Sequence, residues 1–235
     1  MRPTLYTFSG APRGWRVLLG LAFKGIDADI RILSVSEREH LKPEFLAMNP
    51  RAKVPVLTSG NTLLRDSIAI LAWLDKAYPA KPLFGETPEQ AATIWQIAME
   101  CREYLREANR QLLSRAFFTD ASVPEMGSED DQAFQQEAAL VHAECRFLEA
   151  LLSDGRTFMA GETPSAADAL AYPEVRLLER AVETRTELMT AAGFGYPPDL
   201  YPNVAAWKSR LNEMPEVAAT MPPHWLEETP IAKSA

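Results

Sequence analysis

The chain has 235 residues, of which 47% are hydrophobic and 24% are charged, and its formal net charge is -8. This length suits one large domain or two small ones, and we favour two. The acidic balance argues against a nucleic-acid partner, and charged residues interrupt the apolar stretches before they reach the width of a bilayer. Because the first residues run directly into a strand pattern, we expect a cytoplasmic protein that binds neither nucleic acid nor membranes.

The first third of the chain predicts a strand, a helix and a second strand. Residues 4–8 alternate and are rich in β-forming side chains, which indicates a strand. A turn follows, and residues 14–24 read as a helix that ends at Gly25. Residues 29–33 supply the next strand. Such a unit predicts two parallel strands joined by a right-handed crossover.

The stretch Asn49-Pro-Arg-Ala-Lys-Val-Pro-Val-Leu57 combines a short apolar run with a proline inside it. Val54, Val56 and Leu57 indicate a short buried strand, yet Pro55 cannot donate to a sheet ladder. A cis Val54-Pro55 bond at the start of the strand would resolve this conflict, because it would leave the main-chain groups of Val54 free to pair with an extended peptide. The alternative is a trans proline that opens an edge strand. Either way, we predict a strand that begins next to Pro55.

A hairpin turn at Gly60-Asn61 leads through a strand at residues 63–64 to a helix from about Ser67 to Tyr78. Asp66 or Ser67 is its predicted N-cap. The first turn of a helix offers free N–H groups, so Ser67 could bind a carboxylate while Asp66 binds an ammonium. Together the two residues predict a site for an α-amino acid head group.

Lys53-Val-Pro-Val-Leu57 followed by Asp66-Ser-Ile-Ala-Ile70 resembles the glutathione-binding stretch of the soluble glutathione transferase superfamily. In that family, the residue before a cis proline pairs with the cysteinyl backbone of glutathione, and the acid-serine pair binds its γ-glutamyl end. The resemblance, which includes theta- and zeta-like features, implies an α/β thioredoxin-like domain at residues 1–82 and a linker at 83–88. An all-α domain at residues 89–235 follows.

The second half of the chain predicts helices only. Long helices are expected at residues 91–118 and 133–152, and a further one at residues 201–211 with Asn203 as its cap. Ser165 and Asp168 have capping-box spacing, and they resemble the element with which the family starts its core helix. We therefore assign Asp168 a structural rather than a catalytic role. Cys101 and Cys145 lie in helical patterns without metal-binding spacing and are predicted to be reduced, packed thiols.

The family resemblance implies that a hydroxyl or thiol near the first strand activates the thiol of glutathione. Ala11 stands where theta- and zeta-like relatives have their serine, so this donor is missing. Ser9 is the nearest hydroxyl, and the alternative is a turn serine that bonds to its own backbone. Arg13 with the amides at the helix start could instead stabilise a thiolate by charge. Thr7 and Tyr6 stay open as further candidates.

The same resemblance implies that cations bind the glycyl end of glutathione, and His40 and Lys53 fall on positions that theta-like relatives use. The alternatives are a solvated lysine and a half-exposed histidine. With Val54, Pro55, Asp66 and Ser67, these residues complete the predicted glutathione site. The implied function is a homodimeric glutathione transferase that uses glutathione as co-substrate, needs no metal and attacks a small hydrophobic electrophile.

Two alternatives remain at the level of the sequence. A glutathione-dependent isomerase or dehalogenase would use the same site without consuming glutathione. The missing donor at Ala11 also allows a non-catalytic binding or interaction protein with the same fold. The sequence does not identify the electrophile.

Overall fold

A computed structural model describes residues 2–195 and 200–227. The chain divides into two compact units. Unit 1 contains the residues up to Leu83 together with those from Asn212 onward, and unit 2 contains Phe84–Leu211. The division between the units therefore lies inside the predicted linker, and unit 1 also includes a C-terminal segment that the sequence-based division places in the helical domain.

Unit 1 is built on a four-stranded mixed sheet with the order β2-β1-β3-β4. The strands are β1 (Thr4–Thr7), β2 (Asp29–Ile32), β3 (Val56–Ser59) and β4 (Thr62–Leu64). β1 and β2 are parallel, as predicted, whereas β3 is antiparallel to both β1 and β4. Pro55 precedes β3 and so removes no donor from the ladder.

Three α-helices belong to the first part of unit 1, and they are α1 (Pro12–Lys24), α2 (Pro43–Met48) and α3 (Ser67–Ala77). A 3-10 turn at Glu39–Leu41 precedes α2. The apolar faces of α1 and α3 pack on the sheet in one core, formed by Leu5, Val17, Leu21, Leu57, Ile70 and Leu74. As predicted, α1 ends at Gly25, whose φ of 65° suits the left-handed cap. This order of elements is that of a thioredoxin-like domain.

The start of α1 lies unusually close to β1. A Cβ atom added to Gly14 would stand 1.7 Å from Oγ1 of Thr7. Only glycine allows this approach, so the first turn of the helix is fixed against the end of the strand.

The secondary-structure elements of unit 2 are helices in the described residues. Its helices are α4 (Pro88–Glu100), α5 (Arg106–Phe118), α6 (Glu129–Leu151), α7 (Ala166–Thr184), α8 (Thr186–Ala191) and α9 (Pro202–Asn212). The helix predicted at residues 91–118 is present as α4 and α5, joined by a π-helical turn at Cys101–Leu105. α6 begins earlier than predicted because Ser128 caps it and three acidic residues occupy its first turn.

The predicted capping box at Ser165 and Asp168 is present at the start of α7. The Asp168 carboxylate is fully buried and accepts hydrogen bonds from the amides of Met159 and Ser165, from the Ser165 hydroxyl and from Nε1 of Trp207. Burial raises the pKa of Asp168, and these four donors oppose that rise. Asp168 therefore joins α7, the turn before it and α9.

The predicted N-cap at Asn203 is wrong. α9 begins at Pro202, so Asn203 lies inside the helix. The amides of Asn203 and Val204 instead donate to the carboxylate of Glu149 on α6, both at 3.0 Å. The Glu149 carboxylate thus accepts the hydrogen bonds that a local cap residue would otherwise accept from these amides.

The two cysteines are free and buried, as predicted. Burial raises the pKa of Cys145 to about 12, so its thiol stays protonated and unreactive. Among the described helices, none is long and apolar enough to cross a bilayer.

Among its described residues, the C-terminal segment of unit 1 contains two short helices, α10 (Pro215–Ala218) and α11 (Pro223–Glu227). The side chains of this segment reach α1. Nε1 of Trp15 donates to Oγ1 of Thr220 at 2.7 Å, and the ring of Trp225 meets that of Trp15 edge-on, with 5.3 Å between the ring centroids. Trp225 thus anchors the C-terminal segment on α1.

Candidate functional site

The strand directions bring the predicted site residues to one end of the sheet. Tyr6 pairs with Val56 in the antiparallel β1-β3 pair, so the end of β1 lies beside the start of β3. β4 runs back along β3 and ends at the same edge, where it leads into the turn before α3. β2 is parallel to β1 and also ends there. Four connecting segments, each with predicted site residues, therefore meet at this edge.

The Val54-Pro55 peptide bond is cis, as the family resemblance implies. Pro55 is buried, and the ladder of β3 begins one residue later at Val56. The turn before it is fixed by Asn49, which is 1% exposed and donates from Nδ2 to the carbonyl of Lys53 at 2.7 Å. The backbone carbonyl of Lys53 is thus held by a side-chain hydrogen bond outside the sheet ladder.

Asp66 is the N-cap of α3, which decides between the two predicted candidates. Its Oδ1 atom accepts hydrogen bonds from the amides of Ile68 and Ala69 at 2.9 and 3.2 Å. The cap does not use the other carboxylate oxygen, and the residue is exposed. Ser67 is the first residue of the helix and is 4% exposed. The pair therefore presents a carboxylate and a helix start side by side.

The turn before α3 is tied to the neighbouring helix by Arg65. Its Nε atom donates to the carbonyl of Met48 at 2.7 Å, at the C-terminal end of α2. This hydrogen bond connects Arg65, the residue before Asp66, to the end of α2. It therefore links the turn before α3 to the segment that follows α2.

His40 and Lys53 lie on two different connecting segments of this edge. The His40 ring meets the Phe8 ring edge-on, with 5.1 Å between the centroids, so the 3-10 turn lies against the segment after β1. Nδ1 of His40 is buried and has no hydrogen-bond partner among residues 2–195 and 200–227. Lys53 is exposed beside Val54.

The segment between β1 and α1 has no side-chain cap at the helix start. Ala11 is the N-cap residue of α1 and offers no hydroxyl. Thr7 is fully buried, and its hydroxyl donates to the carbonyl of Phe8 at 3.2 Å. The Tyr6 ring packs edge-on against Phe45 of α2, with 6.5 Å between the centroids. The Thr7 hydroxyl is thus engaged in a local hydrogen bond, and the Tyr6 ring packs against α2.

Ser9 and Arg13 are both exposed at this end of the sheet. Oγ of Ser9 lies 3.1 Å from Nδ1 of His224, a residue of α11. His224 is not among the predicted site residues, because it lies 215 positions from Ser9 and no local spacing connects the two. The one available signal was Trp225, the apolar anchor next to it.

No group of three or more potential metal-binding side chains occurs in the part of the chain that the structure describes. The chemistry of this sheet edge is that of a carboxylate, two helix starts, a few hydroxyls and scattered cations. Such a set suits a ligand with both an ammonium and carboxylates.

Comparison with known proteins identifies the family. The family model for the glutathione S-transferase N-terminal domain matches residues 5–82. The family model for the C-terminal domain matches residues 110–215. Glutathione S-transferase A of Pleuronectes platessa is 28% identical over 228 residues, which cover 95% of this chain and 93% of the relative. A probable maleylacetoacetate isomerase 1 of Drosophila melanogaster is 28% identical over 228 residues, with coverage of 94% and 82%.

A glutathione S-transferase of the Antarctic clam Laternula elliptica has a similar solved structure. It is 29% identical, the TM-score is 0.82, and the match covers 97% of this chain and 95% of that one. The thioredoxin-like unit and the helical unit thus correspond to the N-terminal and C-terminal domains of a glutathione S-transferase. The chain belongs to the glutathione transferase superfamily.

Proposed function

We propose that the protein is a glutathione transferase that activates the thiolate of glutathione for attack on a small hydrophobic electrophile. The observation that carries this proposal is the start of α3. There, an exposed Asp66 carboxylate, with one oxygen outside the cap, stands next to the buried Ser67, the first residue of the helix. This pair suits the ammonium and the carboxylate of a γ-glutamyl group.

The remaining contacts follow from the segments that share this edge of the sheet. Val54 would pair through its backbone with the cysteinyl residue, next to Pro55. His40 and Lys53 would bind the glycyl carboxylate. In this proposal the thiol then lies near the start of α1, where the positive end of the helix dipole and the charge of Arg13 favour a thiolate and Ser9 is the candidate hydrogen-bond donor.

Calorimetric titration tests this proposal directly. The full chain should bind glutathione, and cysteinylglycine should bind much more weakly because it lacks the γ-glutamyl group that Asp66 and Ser67 would hold. Ser67→Ala should weaken glutathione binding by about 1–3 kcal/mol, since it removes a partner of a charged group. Ser128→Ala removes the hydroxyl at the start of α6 and serves as the matched control. No binding at millimolar glutathione would reject the proposal.

Turnover of a chloronitrobenzene measures the transferase reaction itself, and the loss of glutathione should equal the product formed.

The isomerase named among the relatives motivates a second candidate function. In that case, or for a dehalogenase, total glutathione would stay constant while substrate is consumed. Binding without either reaction would favour a non-catalytic binding protein. The homodimer and the cytoplasmic location belong to the same proposal.

A further inference from the structure

Ser9 and His224 form a side-chain pair across unit 1. The Ser9 hydroxyl lies 3.1 Å from Nδ1 of His224. Both residues line a cleft of about 720 Å³, which also includes one face of α1, the exposed strand β2 and residues 219–223. The pair therefore stands at the point where the β1-α1 segment meets the C-terminal segment.

The position of His224 is fixed by its neighbours. Trp225 packs on Trp15, and Thr220 accepts a hydrogen bond from Nε1 of Trp15. A Cβ atom at Gly10 would lie 3.3 Å from Nε1 of Trp225 and 3.4 Å from Cε1 of His224. The φ of Gly10 is +74°, a conformation that suits glycine. The segment thus packs tightly against Gly10, directly after Ser9.

The hydrogen bond between a hydroxyl and an imidazole nitrogen has two arrangements. If Ser9 donates to Nδ1, its only hydrogen is used, and the oxygen can offer a further partner nothing but lone pairs. If Nδ1–H of His224 donates to Oγ, the hydroxyl hydrogen stays available for another acceptor. Only the second arrangement lets Ser9 stabilise an anion, because an anion needs a donor.

We propose that His224 is a positioning residue for Ser9, which donates Nδ1–H to Oγ and so directs the hydroxyl hydrogen toward a thiolate bound at the sheet edge. This inference rests on the proposed function, since the thiolate is that of bound glutathione. It assigns to the C-terminal segment a role in thiol activation. This role compensates for the hydroxyl that is missing at the helix start, where the N-cap residue is Ala11.

The test is the ultraviolet titration of the thiolate in the complex of the full chain with saturating glutathione. His224→Ala should raise the apparent pKa of the bound thiol by about one unit, the value of one hydrogen bond to a charged group. His224→Asn should restore the wild-type pKa, because its amide nitrogen can donate from about the position of Nδ1. Leu226→Ala is the matched control, since this residue of the same helix is 71% exposed, and it should leave the pKa unchanged.

A double-mutant comparison shows whether His224 acts through Ser9. Ser9→Ala should raise the thiol pKa as much as His224→Ala does, and the combined variant should show no further rise. An unchanged pKa in His224→Ala, no rescue by His224→Asn, or an equal shift in the Ser9→Ala background would each overturn the inference. Calorimetry on the same samples separates this result from the proposed function, because glutathione that fails to bind rejects both, whereas binding without a pKa effect rejects the inference alone.

Discussion

Asp66 and Ser67 are neighbours in sequence, yet the structure gives them different surroundings. Asp66 is exposed and has a structural task on one oxygen only, whereas Ser67 is buried at the first turn of α3. Because asparagine and aspartate cap helices about equally well, the cap and the charge of Asp66 can be separated by substitution.

We expect Asp66→Asn to weaken glutathione binding about 10-fold or more, because the ammonium of the γ-glutamyl group loses its counter-charge. The free energy of unfolding should change by less than about 0.5 kcal/mol, since asparagine keeps the cap. Calorimetric titration and urea denaturation measure the two effects on the same sample. Asp66→Ala is the comparison variant, and it should lose both binding and stability. Unchanged affinity in Asp66→Asn would remove this residue from the site.

Asp168→Asn should destabilise the protein by about 2–4 kcal/mol, because an amide replaces a buried carboxylate that accepts from four donors. At least one of these donors would face the amide NH2 group. Urea denaturation measures the loss, and glutathione affinity of the folded protein should stay the same. A variant that keeps its stability but loses turnover would contradict the structural role of Asp168.

The ends of helices carry several of the long-range contacts of this molecule. Lys24 is the last residue of α1, and its side chain is 0% exposed. Its Nζ atom donates to the carbonyls of Ala80 and Lys81 and lies 3.6 Å from a carboxylate oxygen of Asp75 on α3. Burial lowers the pKa of Lys24, and Asp75 opposes this effect.

Lys24→Met should destabilise the protein by about 3–5 kcal/mol, because the buried Asp75 loses its cation. Adding Asp75→Asn should recover part of the loss, as the uncompensated charge is then removed. Lys76→Met is the control, since Lys76 is exposed on the same helix as Asp75. Thermal or urea denaturation compares the variants. Equal effects of the Lys24 and Lys76 substitutions would show that the buried ion pair contributes nothing.

His142 on α6 links α6 to the end of α8 and the start of α9. Its ring stacks on Phe194 at a centroid distance of 3.9 Å, and Nε2 donates to the carbonyl of Ala192 at 3.0 Å. Nδ1 then accepts from the hydroxyl of Tyr201 at 2.6 Å, and burial raises the pKa of Tyr201 to about 12, so this donor stays protonated. Burial lowers the pKa of His142, and the positive charge of Arg146 adds to this effect.

Stability should therefore fall as the pH drops below the ordinary histidine pKa of 6.5. In this range the unfolded chain binds a proton at His142 that the folded chain does not, so protons favour unfolding. The urea midpoint of the wild type should decrease between about pH 7.5 and about pH 5.5 more than that of His142→Gln. His40 and His224 are present in both proteins and cancel in the comparison. Parallel pH profiles would show that His142 does not contribute.

At the scale of the whole molecule, we expect a homodimer. Light scattering on a sizing column should give twice the 26.2 kDa mass of one chain. Family membership motivates this expectation, and a mass of one chain at micromolar concentration would contradict it. The measurement needs no variant. Its result also gives the number of glutathione sites in each particle, because calorimetry reports the number of sites per chain.

Local sequence patterns predicted the architecture well, because they reflect interactions between near neighbours. Pro55 next to a buried strand, Gly25 after α1 and Ser165 three residues before Asp168 each depend on contacts within a few positions. The contact of Glu149 with the start of α9 and that of His224 with Ser9 join residues far apart in the chain. Periodicity and spacing contain no information on such pairs, so the cap at Asn203 was wrong and His224 was missed.

Unit 1 uses residues from both ends of the chain, and this affects how it is completed during synthesis. Trp15 and its partner Thr220 are 205 positions apart, with all of unit 2 between them. A ribosome therefore delivers the first tryptophan long before the segment that covers it. Until residues 215–227 are translated, a nascent chain would present that apolar face to chaperones and proteases, so unit 1 gains this protection only after unit 2 has been made.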